Sequence, residues 1–210
     1  MIQKKRRFKK LPCHNKMAFE IIQMLQVFGP LSLVSLYKRC NQIAEENGLT
    51  LGYSYFSEFL IQELIKKRYI SLKGEIAAGY IERGSQRSMQ DAFWVFLEFM
   101  NGMDMETIEY GPAPAKVSFV RNNNIYYIIR CDGDGSGMQI EIKKLIDGLK
   151  EFHNPDAAVA VSEKFIFIYS SQSLMKASPL STAALRVPIL NVVVEYPNAD
   201  PNAKLFFSQN

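Results

Sequence analysis

The chain has 210 residues, enough for one large domain or two modest ones, and is 48% apolar and 22% charged, which excludes fibrous and disordered architectures. Its net charge of +4 hides an asymmetry: residues 1–84 carry 14 Lys and Arg against 7 Asp and Glu, whereas residues 85–210 carry 11 against 14. A basic front half joined to a mildly acidic back half points to a polyanion-binding module coupled to a second function.

Lys4-Lys5-Arg6-Arg7 ahead of an apolar stretch imitates a secretory leader. Glu20, Gln23 and Gln26 interrupt that stretch and Gly29-Pro30 breaks it, and no run approaches the roughly 18 apolar residues of a membrane span. Cys13, Cys40 and Cys131 are odd in number and form no CxxC, the usage of reduced thiols. The expectation is a cytoplasmic protein without a membrane partner.

Asn15 can cap a first helix with Met17, Ile21, Met24, Leu25 and Phe28 at helical spacing, ended by Gly29. Ser32 can cap a second, with Leu33, Leu36, Tyr37, Cys40, Ile43 and Ala44 on one face and Gly48 just past its end. Ser54 opens a third, with Phe56, Phe59, Leu60 and Leu64 inward and Tyr55, Glu58, Gln62 and Lys66 as an outward stripe. Tyr69–Leu72 and Glu75–Ile81 read as two strands around a tight turn at Lys73-Gly74.

Three short helices followed at once by a hairpin resemble a winged helix, and the segment Leu51–Glu82, with GYSYFSEFLIQELIKKRYISLKG at its centre, is similar to the recognition helix and wing of winged-helix DNA-binding domains. The resemblance covers roughly residues 15–83. It implies that the third helix enters the major groove and that the hairpin touches backbone or minor groove. Groove-reading needs polar side chains near the helix start and cations beyond it. Tyr53, Ser54, Tyr55, Ser57 and Gln62 fit the first role; Lys66, Lys67, Arg68 and Lys73 fit the second. Lys4, Lys5, Arg6, Arg7, Lys9 and Lys10 resemble a basic arm that tracks phosphates. Glu58, on the same stripe, repels phosphate unless it meets a cytosine amine or a cation. Helix-dipole stabilisation alone accounts equally for Lys66-Lys67-Arg68 at a helix end.

The polar connection at residues 84–89 marks a boundary. Ala92–Leu97 with Phe99 and Met100 is apolar on nearly every face, which predicts a helix covered all round, either buried or forming a homodimer. Val117–Arg121, the turn Asn122-Asn123-Asn124 and Ile125–Cys131 make a hairpin. Met138, Ile142, Leu145, Leu149 and Phe152 mark a helix, Lys164–Tyr169 a strand, Ser173–Ala177 a short helical turn and Arg186–Glu195 a buried strand. The expected fold is α+β: a basic arm at 1–14, a winged helix-turn-helix at 15–84, and a small α/β domain with a central mixed sheet at 90–210. The element order of that second domain is distantly similar to restriction-endonuclease-like cores. The two-domain plan is loosely similar to replication-initiation or relaxation proteins of bacterial mobile elements.

Such a core needs a carboxylate on one strand and an acidic-x-Lys on the next to hold Mg²⁺; the matching positions are Pro114-Ala115 and Tyr127–Ile129. Glu141-Ile-Lys143 has the right letters but falls in a helical pattern. Asp132-Gly-Asp134-Gly-Ser136-Gly137 copies the start of a calcium loop, yet its twelfth position is Lys143, a cation. His14 and His153 suggest no zinc set, and the chain has no phosphate-binding glycine loop. The expectation is a regulator of transcription or replication that binds double-stranded DNA, with no cofactor and no catalytic or metal residues. The alternatives are a metal-dependent nuclease using Asp132, Asp134 and Glu141, and a protein-interaction adaptor.

Overall fold

The computed structural model describes residues 8–79, 87–152, 162–196 and 203–208, and the chain divides into two compact units, residues 1–85 and 86–210. Among the described residues no helix is long and apolar enough to cross a membrane.

In the first unit, α1 (His14–Phe28) begins one residue before the expected cap, with Cys13 at the N-cap and no side-chain cap bond. Its stripe Met17, Ile21, Met24, Leu25 and Phe28 is buried as the spacing demands. A two-residue strand, β1 (Leu31–Ser32), leads into α2 (Leu33–Glu46), where Ser32 Oγ accepts from Ser35 N–H at 3.1 Å, the expected cap. Buried Arg39 on α2 reaches buried Glu20 on α1, Nε to Oε2 2.7 Å, and its Nη1 reaches Glu46 at 3.1 Å.

The third helix opens as a π-helical segment, Tyr55–Ile61, and continues as α3 (Gln62–Lys66). Tyr69 N–H bonds to Leu64 C=O and Arg68 N–H to Ile65 C=O, a Schellman closure with Arg68 in the left-handed position at φ +60°. β2 (Ile70–Lys73) and β3 (Ile76–Gly79) follow as a hairpin. Lys73 pairs with Ile76, so the turn residues are Gly74-Glu75, one place beyond the expected pair, with Gly74 taking φ +60°. β1 pairs antiparallel with β3, giving the sheet order β1-β3-β2.

In the second unit, α4 (Arg87–Leu97) is followed by β4 (Met103–Tyr110), β5 (Val117–Arg121), β6 (Asn124–Arg130), α5 (Gln139–Phe152) and β7 (Ser162–Tyr169). Then come α6 (Gln172–Ala177), α7 (Thr182–Leu185), β8 (Ile189–Glu195) and β9 (Lys204–Ser208). Six strands lie in chain order, β4 to β9; β6-β7 and β7-β8 are parallel and the other pairs antiparallel. The mixed sheet is as expected.

Strand alternation divides the apolar residues between two faces. Tyr127, Ile129, Phe165, Phe167 and Tyr169 pack with Ile142, Leu145 and Ile146 of α5. On the opposite face Phe119 meets Phe96 of α4 edge-on at 5.4 Å and Tyr126 meets Phe99 at 5.4 Å. Asp91–Leu97 is buried throughout, so the all-apolar helix is covered within the single chain and offers no dimer face. Burying aromatic side chains on both faces is worth about 1.5–3 kcal/mol for each side chain removed from water.

Candidate nucleic-acid interface

The expected DNA-contacting residues separate into groups with different freedom. Lys4, Lys5, Arg6 and Arg7 lie outside the described residues. Lys9, Lys66, Arg68 and Lys73 are exposed and make no ion pair among the described residues. Gln62 is exposed beside Lys66, Ser54 is half-buried at the helix start, and Ser57 donates its hydroxyl to Tyr53 C=O at 3.0 Å. Tyr53 keeps 45% of its surface exposed while meeting Tyr37 edge-on at 5.1 Å. Ser54, Glu58, Gln62 and Lys66 thus form the uncovered stripe.

Tyr55 does not belong to it. Its side chain is buried; its hydroxyl accepts from Leu11 N–H at 3.0 Å and lies 2.7 Å from His14 Nδ1. The physical reason is the wider turn. An i→i+5 ladder adds a residue per turn, so a stripe drawn at 3.6-residue spacing drifts across Tyr55–Ile61 and Tyr55 rotates towards α1. Phe8 then stacks on Phe59, centroids 5.7 Å apart, and sits edge-on to Tyr55. Residues 8–14 therefore lie against the third helix instead of forming a free arm.

Glu63 ties this corner together and removes two cations from the expected set. Its Oε1 pairs with Lys67 at 2.7 Å and Lys10 at 3.0 Å, and its Oε2 with His14 Nε2 at 3.1 Å. One proton arrangement satisfies every group: Tyr55 O–H donates to Nδ1, and Nε2–H donates to Glu63. Hydrogen bonds from Lys67 and then Lys10 hold the Glu63 carboxyl down to about 2. Burial, then the Lys10 charge, holds His14 below its ordinary value of 6.5. Sequence reading passed over Glu63, although the Glu63–Lys67 spacing of four is a helical ion-pair signal.

Acid loosens this corner. For His14 the unfolded chain takes up its proton first, so stability is full above 6.5 and falls as pH drops below it; for Glu63 it falls again between 4.5 and about 2. Urea midpoints of the first unit are expected to be lower at about pH 5.5 than at about pH 7.5, and His14→Gln to flatten that difference. Equal midpoints at the two pH values would reject the assignment.

The nuclease candidates do not converge. Asp134 Oδ1 accepts from Ser136 N–H at 3.0 Å and so shapes the loop before α5, and Glu141 is exposed in the first turn of α5. Lys116 to Arg130, which spans β5 and β6, contains no carboxylate. Among the described residues no group of three His, Cys, Asp or Glu is placed to hold a metal. No protein-family model and no curated protein matches the chain. Among solved structures it is similar to protein VC1899 from Vibrio cholerae, at 11% identity and a TM-score of 0.29, over 88% of this chain and 54% of that one; the chain spans about half the length of that protein.

Proposed function

We propose that the first unit is a winged-helix module that binds duplex DNA, with Tyr55–Lys66 as the groove-facing helix and the β2-β3 hairpin as the wing. What supports this most is the uncovered stripe Ser54, Glu58, Gln62 and Lys66 running towards Arg68, with Lys73 at the hairpin turn, all exposed or half-exposed. The element order helix, short strand, helix, helix, hairpin, closed by the β1-β3-β2 sheet, agrees with it. Polar groups reach base edges and the unpaired cations meet phosphate. The second unit is proposed as a non-catalytic partner domain of a transcription or replication regulator. Three free, buried cysteines support a cytoplasmic setting.

Fluorescence anisotropy with random and genomic duplexes over a salt series tests the reading. Lys66→Ala and Lys73→Ala are each expected to weaken binding about 3- to 10-fold and to reduce the salt slope by about 0.9. Lys67→Ala should change much less, because Glu63 already holds that ammonium. Glu63→Gln should act in the opposite sense, releasing Lys10 and Lys67 and steepening the slope. A parent protein that binds no duplex, or Lys66 and Lys73 variants that bind like the parent, overturns the proposal.

A further inference from the structure

The two edges of the six-stranded sheet, β4 and β9, are built differently. β4 carries Asp104, Glu106 and Glu109 and breaks register between Asp104 and Glu109; charge and irregularity both keep a further strand from pairing. β9 has little of this protection. Lys204 at its start is its one charge, and its register on β8 runs unbroken from Lys204 to Ser208. Among the described residues its outer side has no partner strand, so alternate backbone N–H and C=O groups are open there.

The strand shows aromatic surface on both faces. Phe206 stands opposite Val193, hence on the α5 face, and is 41% exposed. Phe207 stands opposite Val192 on the α4 face, 6.5 Å from the Phe99 ring, and is 45% exposed. The frame behind β9 is fixed. Just past β8 the Tyr196 hydroxyl donates to Asp91 Oδ1 at 2.9 Å, and Asp91 Oδ2 accepts from Arg130 Nε at 2.8 Å, which ties the end of β8 to α4 and β6. A rigid edge loses little freedom when another strand joins it.

We propose that β9 pairs antiparallel with β9 of a second copy of this chain, joining two sheets edge to edge about a two-fold axis normal to the sheet. Opposed residues in a ladder share a face, so such an axis requires one residue to oppose its own copy. With Phe206 at the centre all five residues of β9 pair: Phe206 with its own copy, Leu205 with Phe207, and Lys204 with Ser208. Centring on Leu205 or Phe207 pairs only three, and sets Lys204 or Ser208 against Phe206. No like charges meet in the Phe206 register. The two Lys204 positions lie about 14 Å apart along the strands, beyond the Debye length of about 8 Å, and each faces a hydroxyl that can accept from the ammonium. Such a self-complementary contact closes at two copies. β9 against β4 of another copy would instead meet the carboxylates and broken register of that edge. The proposal stands independently of DNA binding by the first unit.

Sedimentation of the full chain from about 1 to about 300 µM tests the pairing; monomer is expected to pass to dimer and stop there, since a short ladder makes a weak contact. Phe206→Lys and Phe206→Glu each set like charges face to face across the axis and should weaken dimerisation at least about tenfold, while an equal mixture of the two restores it. Phe206 is exposed, so circular dichroism and Trp94 fluorescence should match the parent and separate lost pairing from misfolding. Oxidation reads the register. Phe206→Cys opposes its own copy within disulfide reach and should give a covalent dimer, whereas two Phe207→Cys side chains lie diagonally, about 7–8 Å apart, and should not. Cys13, Cys40 and Cys131 are buried and stay out of the reaction. The proposal is overturned by a parent that stays monomeric, which leaves the edge to a strand of another protein, or by dimers that Phe206→Lys leaves intact. Growth beyond two copies, the mark of β9 joined to β4, overturns it too, as does a cross-link at Phe207→Cys in place of Phe206→Cys.

Discussion

Asp91→Ala is expected to lower the unfolding free energy of the second unit by about 3–5 kcal/mol, because it leaves Arg130 partly buried with its charge uncompensated. It also deprives the Tyr196 hydroxyl of its acceptor; burial and the Asp91 carboxylate hold that phenol protonated, with its ionisation pushed up. The single tryptophan, Trp94, is buried on α4 one turn beyond Asp91, so its fluorescence reports on this unit. Urea unfolding followed by Trp94 should show the midpoint moving sharply down. The double variant Asp91→Leu/Arg130→Met should recover most of the loss, since a desolvated ion pair contributes little beyond a well-packed apolar pair. A loss below about 1 kcal/mol in the single variant would mean that Arg130 finds water or another acceptor.

The matching experiment in the first unit is Glu20→Ala. Arg39 is 4% exposed and Glu20 3% exposed, so removing the carboxylate strands a guanidinium between α1 and α2; the expected loss is about 3–5 kcal/mol. Glu46 accepts from the same arginine at 3.1 Å but is itself half-exposed, and its partial compensation places the loss at the lower end. Circular dichroism should show the helical signal of the first unit melting early while the Trp94 transition stays in place. Movement of both transitions together would show that the two units unfold as one cooperative block.

Periodicity made the helices of the first unit legible because each carries one apolar stripe, and Ser32 announced its cap. The pairing β1-β3 was not legible: Leu31-Ser32 is two residues long, and only a distant partner makes it a strand. β4 and β9 escaped for the reason edge strands often do. Met103–Tyr110 mixes Asp104, Glu106 and Glu109 with apolar residues and has an irregular register between Asp104 and Glu109, and polar edges weaken the alternation signal. The hairpin β5-β6 was plain, since Asn122-Asn123 is a pair that accepts the left-handed conformation both adopt. At the candidate interface, sequence spacing placed Gln62 and Lys66 outward but misplaced Tyr55, because a helix-period rule cannot foresee a π-helical turn. The Asp91–Arg130–Tyr196 cluster joins residues up to 105 positions apart, a separation at which local pattern carries no information.

The parallel pairing of β7 with β6 and with β8 has a kinetic consequence. Asn124 must find Ser162, and Phe165 must find Ile189, each across an intervening helix, so loop closure precedes any reward and slows the step. On a ribosome the helices and hairpin of the first unit are complete before β8 and β9 have been synthesised. During that interval the run Phe165–Tyr169 presents an open, apolar ladder to solvent. Nascent chains paused between β7 and β8 are therefore the species in which aggregation competes most strongly with folding.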